Sequence, residues 1–360
     1  MRVVIAGGGT GGHLFPGIAI AEEILARGNN HRVIFIGTKK GIEHRMLRQL
    51  GYELQEIDVE GVKGRGLKAL LKVTYQIPHS MWQSRQILKR FCPDFVIGVG
   101  GYASGPAVIT ARIMGIPTAI AEQNAMPGIT NRILSKFANI IFVTYAQTKD
   151  WFPPSKVIVS GNPVRKVFAA GRVGAQEKKV RQLLIFGGSQ GAAAINKNVI
   201  AMMPQLQKMK DKLRVLHQTG ERELEIVKKA YKQYGLDAQV TPFIVNMADA
   251  YAEADLIICR AGATSIAEIT AAGKAAILIP FPFAANDHQT KNAEILDCAG
   301  AAVIIKEHEL TAEILFSIID DLLSNKKKLL QMEEASAKLG NIKAAAKIVD
   351  ACMAMAGKSN

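Results

Sequence analysis

Val3-Val4-Ile5-Ala6-Gly7-Gly8-Gly9-Thr10-Gly11-Gly12-His13 opens the chain, and Leu183-Leu184-Ile185-Phe186-Gly187-Gly188-Ser189-Gln190-Gly191 stands at the head of its second half. Both are four apolar residues, the length of a buried strand, running directly into glycines. Outward from each, short apolar runs alternate with amphipathic stretches of helical length, the pattern of βα units on a parallel sheet buried on both faces. In the first half strands are expected at 3–6, 32–36, 95–99, 118–121 and 140–143, with helices starting near Pro16, Gly41, Ala107 and Asn131. In the second half they are expected at 183–186, 213–218, 239–243, 256–259, 276–280 and 302–305. Between the halves, Asn162-Pro163, Gly171, Gly174 and Lys178-Lys179 give residues 161–181 the composition of a linker. The fold class is therefore α/β: two doubly wound parallel-sheet domains, Rossmann-like, facing each other across a cleft. The expected divisions are 1–162, 163–340 and a C-terminal segment 341–360, whose helix near 342–355 can pack on either domain, including back on the first.

A chain of 360 residues has the length of two domains. Its 49% hydrophobic and 21% charged residues exclude a disordered or collagen-like protein. The formal charge of +14 favours phosphates, nucleic acid or an anionic membrane surface as partners. Cys92, Cys259, Cys298 and Cys352 are scattered without metal-ligand spacing, which fits a reducing cytoplasm and neither a disulfide framework nor a zinc site. The opening apolar run is too short for a signal peptide, and no segment reaches membrane-spanning length, so any membrane contact is expected to be peripheral.

Gly7, Gly9 and Gly12 satisfy GxGxxG between a strand and a helix. Glycines there permit tight turns and close backbone approach, and the helix N-terminus offers N–H groups and a positive dipole end to a phosphate. The alternative is that they serve strand–helix packing alone. A nicotinamide dinucleotide site wants an acidic residue after the second strand, but Ile36 leads into Gly37-Thr38-Lys39-Lys40; this argues against NAD and leaves NADP to the two lysines. His13 closes the loop as a candidate general base or phosphate donor, with a solvated or capping histidine as the plain alternative. The turn 99–106 adds hydroxyls from Tyr102 and Ser104, and Ala121-Glu122-Gln123-Asn124 follows the next strand. In a parallel sheet these turns share the carboxyl edge, so one crevice collects His13, Tyr102, Glu122 and Asn124. Glu122 and Asn124 equally suit turn formation before Pro127-Gly128.

In the second half, residues 259–268 again read as strand, turn and helix start. Ser265-x-x-Glu268 has the form of a capping box, yet the two oxygens of such a carboxylate also match the vicinal hydroxyls of a ribose. Gln289 lies on a polar stretch after a strand and offers an amide donor and acceptor to a sugar hydroxyl. The sequence contains no Asp-x-Asp, HExxH, Walker loop or GxSxG, so metal-free chemistry without a cofactor is expected. Between Lys63 and Arg90, Lys63, Arg65, Lys68, Lys72, Arg85, Lys89 and Arg90 interleave with apolar residues including Tyr75 and Trp82. This suits the headgroup boundary of an anionic membrane, or else a helix whose apolar side is core. Nucleic acid fits least, for want of an RNA-module motif.

Seven ordered segments carry a resemblance over nearly the whole chain: GGGTGGHLFPGIAIAEE, GVGGYASGP, EQNAMPGITN, GNPVR, GGSQGA, CRAGATSIAEI and PFPFAANDHQTKNA. Together they resemble the MurG family, bacterial N-acetylglucosaminyltransferases of the GT-B fold and glycosyltransferase family 28. The resemblance implies inverting transfer of N-acetylglucosamine from UDP-GlcNAc to the C4 hydroxyl of the muramic acid sugar in lipid I, giving lipid II and UDP. It implies that Glu268 takes the ribose hydroxyls, Ser189 and Gln190 with their neighbouring glycines the diphosphate, and the backbone near Ile244 the uracil edge. Ala263, Thr264 and Gln289 would hold the sugar, Asn124 would reach it from the first domain, and Arg165 would lie at the interdomain edge. Where some relatives carry a second Gln after the residue matching Gln289, this chain has Thr290. Thr10, Gly11, Gly12 and His13 would face the acceptor's pyrophosphate, with Tyr102 in the same crevice. His13 is the first candidate base and Glu122 the second, and the helix N-terminus after Gly191 would meet the charge of departing UDP. The expected partners are UDP-GlcNAc, lipid I and an anionic membrane surface, with no nucleic acid, at the cytoplasmic face of the cell membrane. An NADP-dependent oxidoreductase and a non-catalytic sugar-nucleotide-binding protein are the alternatives.

Overall fold

The computed structural model describes residues 1–39, 42–59, 67–171, 179–188 and 191–357. The chain divides into two compact units, Met1–Arg165 with Lys343–Asn360, and Lys166–Ile342. The first carries seven strands: β1 (Arg2–Ala6), β2 (Arg32–Thr38), β3 (Glu53–Ile57), β4 (Phe95–Gly98), β5 (Thr118–Glu122), β6 (Ile140–Val143) and β7 (Val157–Val159). The second carries six: β8 (Arg181–Phe186), β9 (Leu213–Gln218), β10 (Ala238–Thr241), β11 (Leu256–Cys259), β12 (Ala276–Leu278) and β13 (Ala302–Ile304).

The orders are β3-β2-β1-β4-β5-β6-β7 and β10-β9-β8-β11-β12-β13, and every pairing is parallel. Each sheet therefore reverses its winding beside its first strand, between β1 and β4 and between β8 and β11. At those points the carboxyl ends of two strands diverge and leave room for a ligand. Two doubly wound units in one chain is the GT-B plan. The central strands are the apolar runs of the sequence: Val3, Val4, Ile5 and Leu183, Leu184, Ile185 have no exposure to solvent.

Strands β3 and β7 were not anticipated. Both are edge strands: Glu-Leu-Gln-Glu-Ile has polar residues at three of its five positions and gives no apolar run, and Val157-Ile158-Val159 is apolar but only three residues long. The first helix spans Gly11–Ala26, so Pro16 lies inside it rather than at its start. Close approach to the sheet comes at Gly17, where a Cβ would stand 3.1 Å from Ile5 and 3.4 Å from Phe35. Residues 166–171, expected as linker, include a 3-10 helix whose Phe168 packs edge-on against Tyr251 at 5.6 Å in the second unit. The C-terminal helix Ala344–Ala356 returns to the first unit. Arg27, just beyond the first helix, bonds Asp350 at 2.5 Å and the Ala346 carbonyl at 3.1 Å, while Lys347 donates to the Val159 carbonyl at 2.6 Å.

Candidate functional site

In the first unit, the turns after β1 and β4 interlock at the carboxyl edge. Gly100, at φ +99°, lies against the imidazole of His13, where a Cβ would come within 2.4 Å of Nδ1. Gly101, at φ +81°, meets the Gly8 carbonyl equally closely. Both positions demand glycine, for the backbone angle and for the space. Ser104 is buried and ties the turns together: its hydroxyl accepts from the Gly100 N–H at 3.0 Å and reaches the Ala6 and Gly100 carbonyls at 2.7 and 2.8 Å. That hydroxyl, expected beside a ligand, is consumed inside the protein. Tyr102 on the same turn is exposed.

The tautomer of His13 follows from its neighbour. Gln123 donates through Nε2 to the Val99 and Ala121 carbonyls at 3.0 and 3.2 Å, which turns its Oε1 toward His13 Nδ1 at 3.4 Å. An acceptor there favours the tautomer that carries its proton on Nδ1, in which Nε2 holds the lone pair. Thr10 is the N-cap of the first helix, its carbonyl accepting from the His13 and Leu14 N–H groups, and Gly11 and Gly12 form the first turn.

Glu122 closes β5 and is almost wholly buried. Its Oε1 accepts from the Asn124 backbone N–H at 2.9 Å and from Asn124 Nδ2 at 3.2 Å. Its Oε2 accepts from the Gly128 N–H at 3.1 Å and from Asn131 Nδ2 at 2.8 Å. The carboxylate thus holds the turn that carries Asn124, spending its lone pairs on that turn. Arg165, at the end of the unit, stacks its guanidinium over the Phe15 ring at 5.8 Å. Lys39, a candidate for a 2′-phosphate, is paired with Asp58 at 2.8 Å, and Lys40 lies outside the described residues.

In the second unit, the glycine turn after β8 packs on the end of β9. A Cβ at Gly191, φ +76°, would stand 2.0 Å from the Thr219 carbonyl. Asn196 of the helix Ala193–Ala201 donates to that same carbonyl at 3.0 Å and to Glu223 at 2.6 Å, and its Oδ1 meets His217 Nε2 at 3.0 Å. Burial lowers the His217 pKa from 6.5 to about 3, so the ring is neutral beneath the loop. Ser189 and Gln190 lie outside the described residues. The backbone N–H of Ile244 donates to Gln218 Oε1 at 2.8 Å. The Ile244 carbonyl takes no part in that bond.

Helix Ala263–Ala272 begins at the carboxyl end of β11 with Gly262 as N-cap. Ser265 is therefore inside the first turn and Glu268 is at mid-helix, which removes the capping-box reading. Glu268 is buried and accepts from the Tyr251 hydroxyl at 3.2 Å. Burial, and then the neighbouring charge of Glu268, pushes the Tyr251 hydroxyl well above its ordinary pKa of 10, so it remains a donor. Ala263 and Thr264 supply the helix N-terminus beside it.

Gln289 stands in the first turn of helix His288–Cys298, and its Oε1 accepts the Phe281 N–H at 3.0 Å, which directs Nε2 elsewhere. Asn286 and Asp287 before it hold φ of +54° and +51°, an uncommon conformation for side-chain-bearing residues. Arg260 steadies the loop: it donates to the Ile279 and Pro280 carbonyls at 3.2 Å, pairs with Glu307 and covers the Phe281 ring at 5.3 Å.

The turns at the carboxyl edge of the first sheet thus carry His13, Tyr102, Glu122 and Asn124 with the Thr10–Gly12 turn, and the elements that follow β10, β11 and β12 in the second unit carry Ile244, Ala263, Thr264, Glu268 and Gln289. Gln123, Gln218, Tyr251 and Arg260 were given no role from the sequence. Only Gln123 and Gln218 carried a signal, a polar residue at the carboxyl end of a buried strand.

The glycosyltransferase family 28 N-terminal domain matches residues 3–143, and the family 28 C-terminal domain matches residues 182–350. A UDP-N-acetylglucosamine--N-acetylmuramyl-(pentapeptide) pyrophosphoryl-undecaprenol N-acetylglucosamine transferase of Syntrophus aciditrophicus is 56% identical over 99% of both chains. The protein of the same description from Geobacter sulfurreducens is 48% identical over 99% of this chain and all of its own. Among solved structures, Acinetobacter baumannii MurG superposes with a TM-score of 0.77 at 33% identity, covering 98% of this chain and 99% of that one. A UDP-GlcNAc 2-epimerase from Neisseria meningitidis reaches a TM-score of 0.72 at 14% identity, covering 98% of this chain and all of its own, a likeness of fold alone.

Proposed function

The chain belongs to the MurG family of glycosyltransferase family 28, and from that premise we propose how its residues divide the chemistry. The enzyme transfers N-acetylglucosamine from UDP-GlcNAc to lipid I, forming lipid II and UDP. Glu268 takes the two ribose hydroxyls, the carbonyl of Ile244 takes the uracil N3–H, and the N-terminus of helix Ala193–Ala201 faces the diphosphate. Ser189 and Gln190 belong to that diphosphate loop. Ala263, Thr264 and the Nε2 of Gln289 address the sugar. The observation that carries this reading is Glu268 itself, a buried carboxylate in the helix that starts at the carboxyl end of β11, accepting from the Tyr251 hydroxyl and placed too far along the helix to cap it.

On the acceptor side, the Nε2 of His13 removes the proton from the C4 hydroxyl as its oxygen bonds to the anomeric carbon. The bond from that carbon to the β-phosphate oxygen breaks at the same time, which inverts the configuration. UDP departs with the electron pair, and the helix dipole offsets its charge. The four hydrogen bonds of Glu122 support a positioning role for it, holding the turn that presents Asn124. Thr10, Gly11, Gly12, Tyr102 and Arg165 complete the acceptor side. The test is transfer of radiolabelled N-acetylglucosamine from UDP-GlcNAc to a lipid I analogue. Labelled disaccharide lipid is the expected product, whereas donor binding without transfer would leave a binding protein.

A polyprenyl-linked acceptor requires the enzyme to meet a membrane at the cytoplasmic face, and no helix among the described residues is long and apolar enough to cross one. The docking surface we propose is the outer face of helix Leu67–Phe91. Ser80, Ser84 and Leu88 form its buried stripe, while Tyr75 and Trp82 are 73% and 58% exposed and stack on either side of His79. Arg85, Lys89 and Arg90 lie on the exposed side as well. Lys63 and Arg65 lie outside the described residues, as do the side chains of 67–74. Each basic residue near an anionic surface contributes about 1 kcal/mol, so binding should be sensitive to salt. Trp82→Ser combined with Arg85→Gln and Lys89→Gln is expected to weaken co-sedimentation with anionic vesicles. Equal sedimentation of both proteins at low salt would place the docking face elsewhere.

A further inference from the structure

Gln218, the last residue of β9 and almost fully buried, joins two loops through one amide. Its Nε2 donates to the Gly188 carbonyl at 2.7 Å and its Oε1 accepts from the Ile244 N–H at 2.8 Å. The Gly188 carbonyl also receives the Gly191 N–H at 3.0 Å. Two donors thus draw that carbonyl inward, and a negative dipole end is kept from the side on which a diphosphate would lie. The loop bearing Ile244 is anchored beside it, with the Thr219 N–H on the Thr241 carbonyl at 3.0 Å and the Thr241 hydroxyl on the Phe243 carbonyl at 3.0 Å.

We propose that Gln218 is a positioning residue for the donor nucleotide, coupling the loop that faces the diphosphate to the backbone that reads the base. The proposal rests on the donor-site reading above and adds a residue that touches neither reacting atom. The chemistry restricts what can stand there. Glutamate offers acceptors to Ile244 but only repulsion to a carbonyl, leucine offers neither bond, and asparagine is one methylene short of spanning both. Because one amide serves both halves, its loss should weaken base discrimination and phosphate affinity together.

The experiment is calorimetric titration of UDP, UMP and CDP into the full chain, as wild type, Gln218→Leu and Gln218→Glu, with steady-state kinetics on UDP-GlcNAc. The Leu variant should bind UDP about 10- to 100-fold more weakly, the scale of losing two buried hydrogen bonds. Its preferences for UDP over UMP and for UDP over CDP should both shrink, and the kinetic loss should fall on KM more than on kcat. The Glu variant keeps the acceptor for Ile244, so it should lose the preference for UDP over UMP while retaining discrimination against CDP. A purely structural role would lower the melting temperature and leave both preferences intact, which overturns the proposal. So would a Leu variant with UDP affinity within about twofold of wild type. Should the Leu variant fail to fold, the Glu variant decides by the same ratios. Glu268→Ala serves as the control: if it loses UDP while the Gln218 variants do not, this proposal alone falls, and if neither loses UDP, the donor-site reading falls with it.

Discussion

Replacing His13 by alanine is expected to lower turnover by about 10²- to 10⁴-fold, the range of a lost general base, with UDP-GlcNAc affinity little changed. The expectation rests on the ring's orientation. With Nδ1 facing Gln123 Oε1 and the imidazole seated on the bare Cα of Gly100, Nε2 is the nitrogen equipped to take a proton. His13→Gln separates two roles, because an amide can donate to a pyrophosphate but cannot accept the acceptor's proton. If His13→Gln restores turnover, the residue holds the acceptor and is not the base. Glu122→Ala is the companion. Its four hydrogen bonds predict a melting-temperature drop and a disordered Asn124 turn, so activity and stability should fall together. A stable, inactive Glu122→Ala beside an active His13→Ala would transfer the base role to Glu122.

The doubly wound architecture was legible because central strands of a parallel sheet must be apolar on both faces, as Val3 to Ala6 and Leu183 to Phe186 are. Glu53–Ile57, an edge strand with three polar residues in five, escapes that rule, and Val157–Val159 is apolar but too short to stand out. The candidate site residues that sequence could name sit on turns at strand ends, several of them rich in glycine. Residues that act through others were not legible. Tyr251 looks like any core aromatic until Glu268 is found against its hydroxyl, and nothing about Arg260 in the sequence points to the two carbonyls, Glu307 and Phe281 found around it. Ser104 erred in the other direction, a hydroxyl in the right turn that folding had already used. Ser265-x-x-Glu268 shows the same limit: local spacing cannot tell which residue begins a helix, and the start at Ala263 removes the capping-box reading that spacing allowed.

With the cap excluded, Glu268→Ala is expected to abolish most donor affinity. A charged acceptor contributes about 1.5–3 kcal/mol to each hydrogen bond it makes, so losing the bonds to the ribose costs at least about tenfold in Kd even if one bond carries the effect. The alanine variant also strands the Tyr251 hydroxyl, buried and held in its protonated form, so part of any loss could arise from a disturbed core. Glu268→Gln addresses this, since its amide oxygen still accepts from Tyr251 while the charge and one acceptor are gone. The decisive comparison is UDP against its 2′-deoxy analogue. Wild type should prefer UDP, and both variants should bind the two nucleotides alike, because the discriminating partner of the 2′-hydroxyl has been removed. A core defect would weaken both nucleotides by the same factor and preserve the preference. Unchanged UDP affinity in a folded Glu268→Ala would return the ribose to another residue and leave this buried carboxylate in a structural role beside Tyr251.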